Sequence, residues 1–147
     1  MSESSSTSIV RLRKLAEFRF QLRKFLRFSE TASDAAGISV QQYQLLQVIA
    51  AIPDGQGASI SYLADRMILR HNSAVDLVDR AVRAGMVRRE SDEEDLRRSL
   101  VLLTPQGSAM LERLVVEHLI ELDARGHEIV DALESLMASG ELVGETH

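Results

Sequence analysis

The segment from Ile60 to Gly107 constrains the fold of this chain more than any other part of its 147 residues. Residues 60–67 and 72–84 have the apolar spacing of two short amphipathic helices. Gly85 then provides a helix stop, and two strand-like runs follow with a charged segment between them. Two helices followed by such a hairpin predict a helix-turn-helix with a β-wing.

The second of these helices has an apolar and a polar face. The apolar face is predicted to consist of Ala74, Val75, Val78, Ala81 and Val82. The polar face consists of Asn72, Ser73, Asp76, Asp79, Arg80 and Arg83, with Asn72 or Ser73 as the expected N-cap. Such a face is most often simply solvated. In helix-turn-helix proteins, however, the start of the second helix enters the DNA major groove, so the context favours a DNA contact.

The segments that flank this unit are helical by their apolar periodicity. A long helix is predicted from Ile9 to about Ala35, with Gly37 ending it. Ser39 to Gln42 fit a capping box before a second helix that Pro53 stops, and residues 54–57 are predicted to form a loop. Helix resumes from Gln106, with a break or kink expected at Gly126.

These patterns predict one domain over residues 9–139, mostly α with a small β-wing. Residues 39–105 form its winged helix-turn-helix, and residues 1–8 and 140–147 are expected to be disordered tails. The helices at 9–36 and 106–139 offer more apolar surface than so small a domain can cover. We therefore expect them to form a dimerisation region.

Composition excludes several classes of protein. The chain has no cysteine, which excludes disulfides and thiol redox sensing. It has no apolar run of membrane-spanning length and no signal peptide, so a cytoplasmic location without membrane contact is expected. The net charge is −5, and the charges are unevenly distributed along the chain. Residues 1–30 hold seven basic and three acidic residues, whereas residues 108–147 hold two basic and nine acidic residues. An acidic end is compatible with DNA binding elsewhere, because binding depends on the local field.

Phe20 stands apart from the apolar face of the first helix. At 100° per residue it falls among Arg13, Arg23, Lys24 and Arg27. An aromatic ring there indicates a contact with another helix or a partner protein. The alternative is a platform for an aromatic or anionic ligand.

The predicted wing joins residues 86–90 and 98–103 through a tip rich in acids. Asp95 lies two residues before Arg97, so its carboxylate can hold the guanidinium in a bidentate pair and aim it at a minor groove. The simpler interpretation is a solvated tip whose ion pairs contribute little.

Several ordered motifs give this chain a specific resemblance. Asp95-Leu96-Arg97 followed by Leu103-Thr104-Pro105-Gln106-Gly107 resembles the D-x-R…LT-x-x-G signature of the multiple antibiotic resistance regulator (MarR) family. Tyr62-Leu63-Ala64, Ser73-Ala74-Val75, Leu77-Val78 and Gly85-Met86-Val87-Arg88-Arg89 also resemble that family at the expected spacing. The resemblance extends from about Gly37 to Leu122.

The resemblance implies a winged-helix homodimer that binds palindromic double-stranded DNA, usually as a repressor. It also implies that a small aromatic or anionic effector releases the protein from the DNA. Arg97 would be the wing arginine in the minor groove, with Asp95 orienting it. Ser73, Asp76 and Arg80 would lie nearest the bases. The full set of candidate DNA-contacting residues is Arg70, His71, Asn72, Ser73, Asp76, Arg80, Arg88, Arg97 and Arg98.

Asp76 departs from the family, which often has a neutral hydroxyl residue there. Its carboxylate could accept from a cytosine amino group, pair with Arg80 one turn later, or weaken binding. Asp92, Glu93 and Glu94 likewise argue against a strong wing contact.

Two other classes of function compete with DNA binding. A winged-helix module that binds proteins instead would show no salt-dependent affinity for DNA. An enzyme finds little support, because the histidines are scattered and His118 with Glu121 supplies only one pair at metal-ligand spacing. We expect no catalytic residues, no metal and no cofactor.

Overall fold

The computed structural model describes residues 2–53 and 56–144 of the chain. Its elements are α1 (Ser2–Ala36), α2 (Val40–Ala50), β1 (Ala58–Ser59), α3 (Ile60–Met67), α4 (His71–Arg83), β2 (Val87–Ser91), β3 (Ser99–Leu103) and α5 (Pro105–Gly144). They form two compact units. The winged-helix unit is Ala32–Val116, and the helical unit consists of the residues up to Thr31 and from Glu117 onward. The predicted class, mostly α with a β-wing, is confirmed.

The sheet of the winged-helix unit is antiparallel, in the order β1-β3-β2. Val87 pairs with Leu103 at the base of the wing, and Ser91 pairs with Ser99 near its tip. Both wing strands lie within one residue of their predicted positions. Strand β1 was not predicted, because two residues carry no periodic signal and their pairing with Leu100 and Val101 is non-local.

The core of this unit lies where α2, α3, α4 and the start of α5 meet the sheet. Leu46, Leu63, Val78, Val101 and Leu114 have no exposed surface. Burying a leucine or valine side chain stabilises the folded state by about 1.5–3 kcal/mol relative to exposure. The core therefore fixes α4 against α3 and the sheet, and this is what positions the polar face of α4.

Three helices of the winged-helix unit end with the same pair of backbone hydrogen bonds, the Schellman motif. After α1, Ile38 N donates to Ser33 O and Gly37 N to Asp34 O. After α4, Met86 N donates to Ala81 O and Gly85 N to Val82 O. The left-handed residue is glycine in both, at φ 92° and 78°.

The end of α3 uses the same motif without a glycine. Leu69 N donates to Ala64 O and Ile68 N to Asp65 O, and Ile68 takes a φ of 54°. A β-branched residue in this region is strained, because its Cβ crowds the following carbonyl. Ile68 is also 91% exposed, so packing does not offset the strain.

In the helical unit, α1 and α5 run antiparallel. The buried His118 lies 2.8 Å from Ser29, from its Nε2 to the hydroxyl oxygen, with the rings of Phe25 and Phe28 edge-on to it. Lys24 pairs with Glu128 at 3.2 Å. The histidine considered as a metal ligand therefore belongs to the packing between these helices.

Both long helices extend further than predicted. Helix α1 starts at Ser2, so residues 2–8 are helical where a disordered tail was predicted, because extending a formed helix adds a hydrogen bond per residue. Helix α5 passes through Gly126 without a break and reaches Gly144. An interior glycine costs a helix only about 1 kcal/mol, less than ending it would. Met1, residues 54 and 55 of the predicted loop, and residues 145–147 lie outside the described residues.

Some local predictions were wrong. Ser39 Oγ accepts from Gln42 N as the capping box requires, but Gln42 Oε1 is buried without a hydrogen bond, so the reciprocal contact is not formed. Val82 was predicted to be buried and is exposed. Leu77 is buried instead, because the core contacts α4 over a broader arc than a single stripe.

No helix among the described residues has both the length and the apolar character that crossing a membrane requires.

Candidate nucleic-acid interface

Helix α4 presents one apolar face to the core and one polar face to solvent. Ala74, Leu77, Val78 and Ala81 are buried, at the three- and four-residue spacing of a helix face. On the other side the residues expected to contact bases, Ser73, Asp76 and Arg80, are all exposed.

The start of α4 lacks a side-chain cap. The helix begins at His71 with Arg70 as its N-cap, and no side chain accepts a hydrogen bond from the first-turn amides. The prediction of Asn72 or Ser73 as N-cap was therefore wrong, because the Schellman turn at Ile68 already leads the chain into the helix at Arg70, two residues before Asn72. Uncapped amides at the positive end of a helix favour an anion, and Arg70, His71 and Asn72 are exposed beside them.

Asp76 and Arg80 are not joined as an ion pair. Arg80 Nε donates to the backbone carbonyl of Asp76 at 3.4 Å, and this holds the guanidinium along the helix. Of the alternatives considered for Asp76, the ion pair with Arg80 is therefore not formed. Among the described residues the Asp76 carboxylate has no ion-pair partner, so it faces solvent as an uncompensated charge on α4.

The tip of the wing is a hydrogen-bonded turn. Arg98 N donates to Asp95 O at 3.0 Å, which closes a four-residue turn from Asp95 to Arg98. Asp95 Oδ1 accepts from the backbone N of Arg97 at 3.1 Å and from its Nε at 3.2 Å. The carboxylate therefore holds both the backbone and the side chain of Arg97.

The Arg97 side chain is 92% exposed and the Asp95 side chain 37%. The predicted pair is present, although it uses Nε alone and is not bidentate. An exposed ion pair contributes little to stability, so its effect is to limit the directions that the guanidinium can take.

Two other cations of the wing are paired with acids. Arg88, a candidate DNA contact, lies 2.9 Å from Glu90, and Arg89 lies 2.6 Å from Asp79 of α4. These partners neutralise both arginines, which reduces the availability of Arg88 for a phosphate.

A cleft gathers three of the candidate residues. His71 at the start of α4 and Arg97 and Arg98 of the wing line it, together with Ser59, Ile60, Ser61 and Ser99. Sequence analysis missed these three serines. The N-cap pattern of Ser59, whose hydroxyl oxygen accepts from Tyr62 N, was a signal for one of them. Guanidinium, imidazole and hydroxyl donors around one cleft are suited to phosphate oxygens.

The acids of the wing line a different cleft. Glu90, Asp92, Glu93 and Glu94 lie around a cleft shared with Gln56 and Gly57. Arg97 and Arg98 thus lie in a different cleft from these four acids, on the side of His71. This arrangement reduces the repulsion of phosphate that the acidic composition of the tip suggested.

The LT-x-x-G segment joins the wing to α5. Thr104 Oγ1 donates to Gly85 O at 2.6 Å and accepts from Gly107 N at 3.0 Å, while Thr104 N donates to Met86 O at 3.0 Å. A Cβ at residue 107 would overlap the Met86 carbonyl oxygen. The threonine and the glycine are therefore required by the contact between this turn and the end of α4.

Comparison with known proteins agrees with this geometry. Residues 36–98, which hold the helix-turn-helix and most of the wing, match the model of the MarR family. A candidate transcriptional regulatory protein for the hcr operon of Thauera aromatica is 33% identical over 96 residues, which are 65% of this chain. The chain spans only 56% of that relative's length.

Solved structures of low sequence identity share the fold. The MarR family transcription regulator SP03579 aligns with a TM-score of 0.75 at 18% identity, over 99% of this chain and 97% of its own. A mutant MarR of E. coli complexed with operator DNA aligns with a TM-score of 0.65 at 21% identity, over 95% of this chain and 94% of its own. CouR of Rhodococcus jostii bound to p-coumaroyl-CoA aligns with a TM-score of 0.62 at 22% identity, over 77% of this chain and 83% of its own. Residues 36–98 of this chain thus match the MarR family in sequence, and the chain as a whole shares the fold of solved MarR family regulators.

Proposed function

We propose that the protein is a transcriptional regulator that binds double-stranded DNA sequence-specifically through α4 and the wing. The observation that carries this proposal is the cleft in which Arg97, held by Asp95, lies with Arg98 and His71 beside the uncapped start of α4. Cationic donors next to a helix N-terminus favour a backbone phosphate, and phosphate contacts fix the register of a protein on the duplex.

In this proposal α4 lies in the major groove and the wing reaches the adjacent minor groove. Ser73, Asp76 and Arg80 face the base edges, with Asp76 accepting from a cytosine amino group. Arg70, His71 and Asn72 contact phosphates at the entrance to the groove, and Arg97 enters the minor groove, whose negative potential attracts arginine.

We further propose that the protein acts as a homodimer on a palindromic site. The helical unit leaves many large apolar side chains exposed, including Ile9, Leu12, Leu15, Leu119, Ile120, Val130 and Leu133. Surfaces of this kind indicate a protein interface. The basic α1 and the acidic α5 are complementary in charge, and a two-fold dimer presents two copies of α4 to two half-sites.

We propose further that the protein represses transcription in the cytoplasm and that a small aromatic ligand relieves this repression. Two similar structures support this proposal, that of CouR bound to p-coumaroyl-CoA and that of a mutant MarR complexed with operator DNA.

Selection of bound fragments from random duplex DNA tests the proposal, followed by affinity measurements at several salt concentrations. We expect one enriched palindromic sequence and an affinity that falls as salt rises, because phosphate contacts release counterions. Repeating the selection with p-coumaroyl-CoA should reduce recovery of that sequence. No enrichment and no salt dependence would instead favour a protein-interaction module, for which the uncompensated Asp76 on α4 is the supporting observation.

A further inference from the structure

A single large apolar side chain stands at the tip of the wing. Leu96 is 79% exposed, and its neighbours in the chain, Glu94, Asp95, Arg97 and Arg98, are all charged. An isolated exposed leucine does not by itself indicate a function. The position of Leu96 in the turn does indicate one.

Leu96 and Arg97 are the two central residues of the turn that Asp95 closes. The Asp95 carbonyl accepts from Arg98 N at 3.0 Å, and its carboxylate accepts from Arg97 N at 3.1 Å. These two hydrogen bonds fix the backbone on both sides of Leu96. A wing tip that inserts the 92% exposed Arg97 side chain into a groove therefore brings the neighbouring Leu96, which is 79% exposed, to the same groove.

The minor groove has chemistry that suits this pair. Its negative potential attracts the guanidinium, and apolar side chains beside such cations are found wedged against its sugars and base steps. A·T and T·A pairs expose only acceptors on the groove floor, whereas guanine adds a protruding N2 amino donor. An apolar side chain cannot accept a hydrogen bond from that amino group, so it would leave a buried donor unpaired.

We propose that Leu96 lies in the DNA minor groove beside Arg97 and makes the wing select A·T over G·C pairs by excluding the guanine amino group. This inference rests on the proposed DNA binding and adds to it a specificity-determining residue. The Arg97 guanidinium is attracted to the negative potential of the groove, and the Leu96 side chain disfavours G·C pairs. Discrimination by unfavourable contact is a general route to specificity.

The test uses three versions of the selected operator that differ only at the steps contacted by the wing, as located by hydroxyl-radical footprinting. These steps carry A·T, G·C or I·C, where inosine is guanine without the N2 amino group. For the wild type we expect similar affinity for A·T and I·C, and affinity about tenfold weaker for G·C. Leu96→Ala should keep its affinity for A·T within about threefold and reduce the penalty for G·C to less than threefold. Glu93→Ala, an exposed tip residue outside the turn, is the matched control and should keep the full penalty.

Each outcome bears on one claim. If Leu96→Ala discriminates between G·C and I·C as strongly as the wild type does, the role of Leu96 is overturned and DNA binding stands. If the wild type binds G·C and I·C equally, the rejection of the amino group is overturned. If the wild type enriches no sequence and binds none of the duplexes with salt dependence, the proposed function fails and this inference fails with it. Thermal unfolding of Leu96→Ala should match the wild type, since the side chain is exposed.

Discussion

The Thr104 hydroxyl donates a 2.6 Å hydrogen bond to the carbonyl of Gly85, 19 residues earlier in the chain. The same hydroxyl accepts from the Gly107 amide. The turn that ends α4 is thus joined to the start of α5, and the wing strands β2 and β3 leave from this junction. The position of the wing relative to α4 depends on it.

We predict that Thr104→Val destabilises the winged-helix unit by about 1–3 kcal/mol. Valine keeps the shape but removes the hydroxyl, which leaves the Gly85 carbonyl and the Gly107 amide without this partner in a partly buried site. Urea unfolding measures the change. Thr104→Ser keeps the hydroxyl and should be less affected, so equal losses in both variants would contradict the account.

Gly107→Ala should destabilise the protein by about 3 kcal/mol or more, because the new Cβ overlaps the backbone oxygen of Met86, which cannot move away cheaply. Gly126→Ala is the control in the same helix. Its Cβ meets only the Leu122 side chain at 3.7 Å, so it should stabilise the helix by about 1 kcal/mol. Two variants of equal stability would show that the packing at Gly107 is looser than described.

Ile68→Asn should stabilise the protein by about 1 kcal/mol. Asparagine tolerates the left-handed conformation at φ 54°, and no buried contact is lost from a side chain that is 91% exposed. Ile68→Val keeps the β-branch and the strain, so its melting temperature should not change. A destabilised Ile68→Asn would mean that the isoleucine has a packing role in the turn.

Asp95→Ala should weaken operator binding about tenfold, although the substitution removes a negative charge beside the DNA. Charge alone predicts tighter binding. Weaker DNA binding by Asp95→Ala would therefore indicate that the Asp95 carboxylate orients the Arg97 side chain. Glu93→Ala makes the same charge change without touching Arg97 and should bind as well as the wild type or slightly better. If both variants bind more tightly, Asp95 does not orient the arginine in the complex.

Local patterns in the sequence were sufficient for α3, for the wing strands and for the Asp95–Arg97 pair. Each of these depends on residues close together in the chain, such as the stop at Gly85 and the run of apolar residues along β3. The pattern also identified the exposed face of α4, since the three- and four-residue spacing of its apolar side chains fixes the opposite side.

The features that were missed depend on contacts between distant residues. Strand β1 exists through pairing with β3, and Ser59 and Ser61 join Arg97 only when the sheet forms. The Thr104–Gly85 contact gives a physical reason for the LT-x-x-G motif that no local pattern shows. Competition among nearby groups decides between alternatives that the sequence leaves open: Arg80 bonds to a helix carbonyl and not to the Asp76 carboxylate.

Binding of DNA by the wing arginine can be measured as the operator affinity of Arg97→Ala at fixed salt. Its control is Arg83→Ala, which removes an equal charge from the exposed end of α4. We predict at least tenfold weaker binding for Arg97→Ala, equivalent to about 1–3 kcal/mol, with unchanged thermal stability and a smaller effect for Arg83→Ala. Equal affinity of Arg97→Ala and the wild type would contradict this prediction.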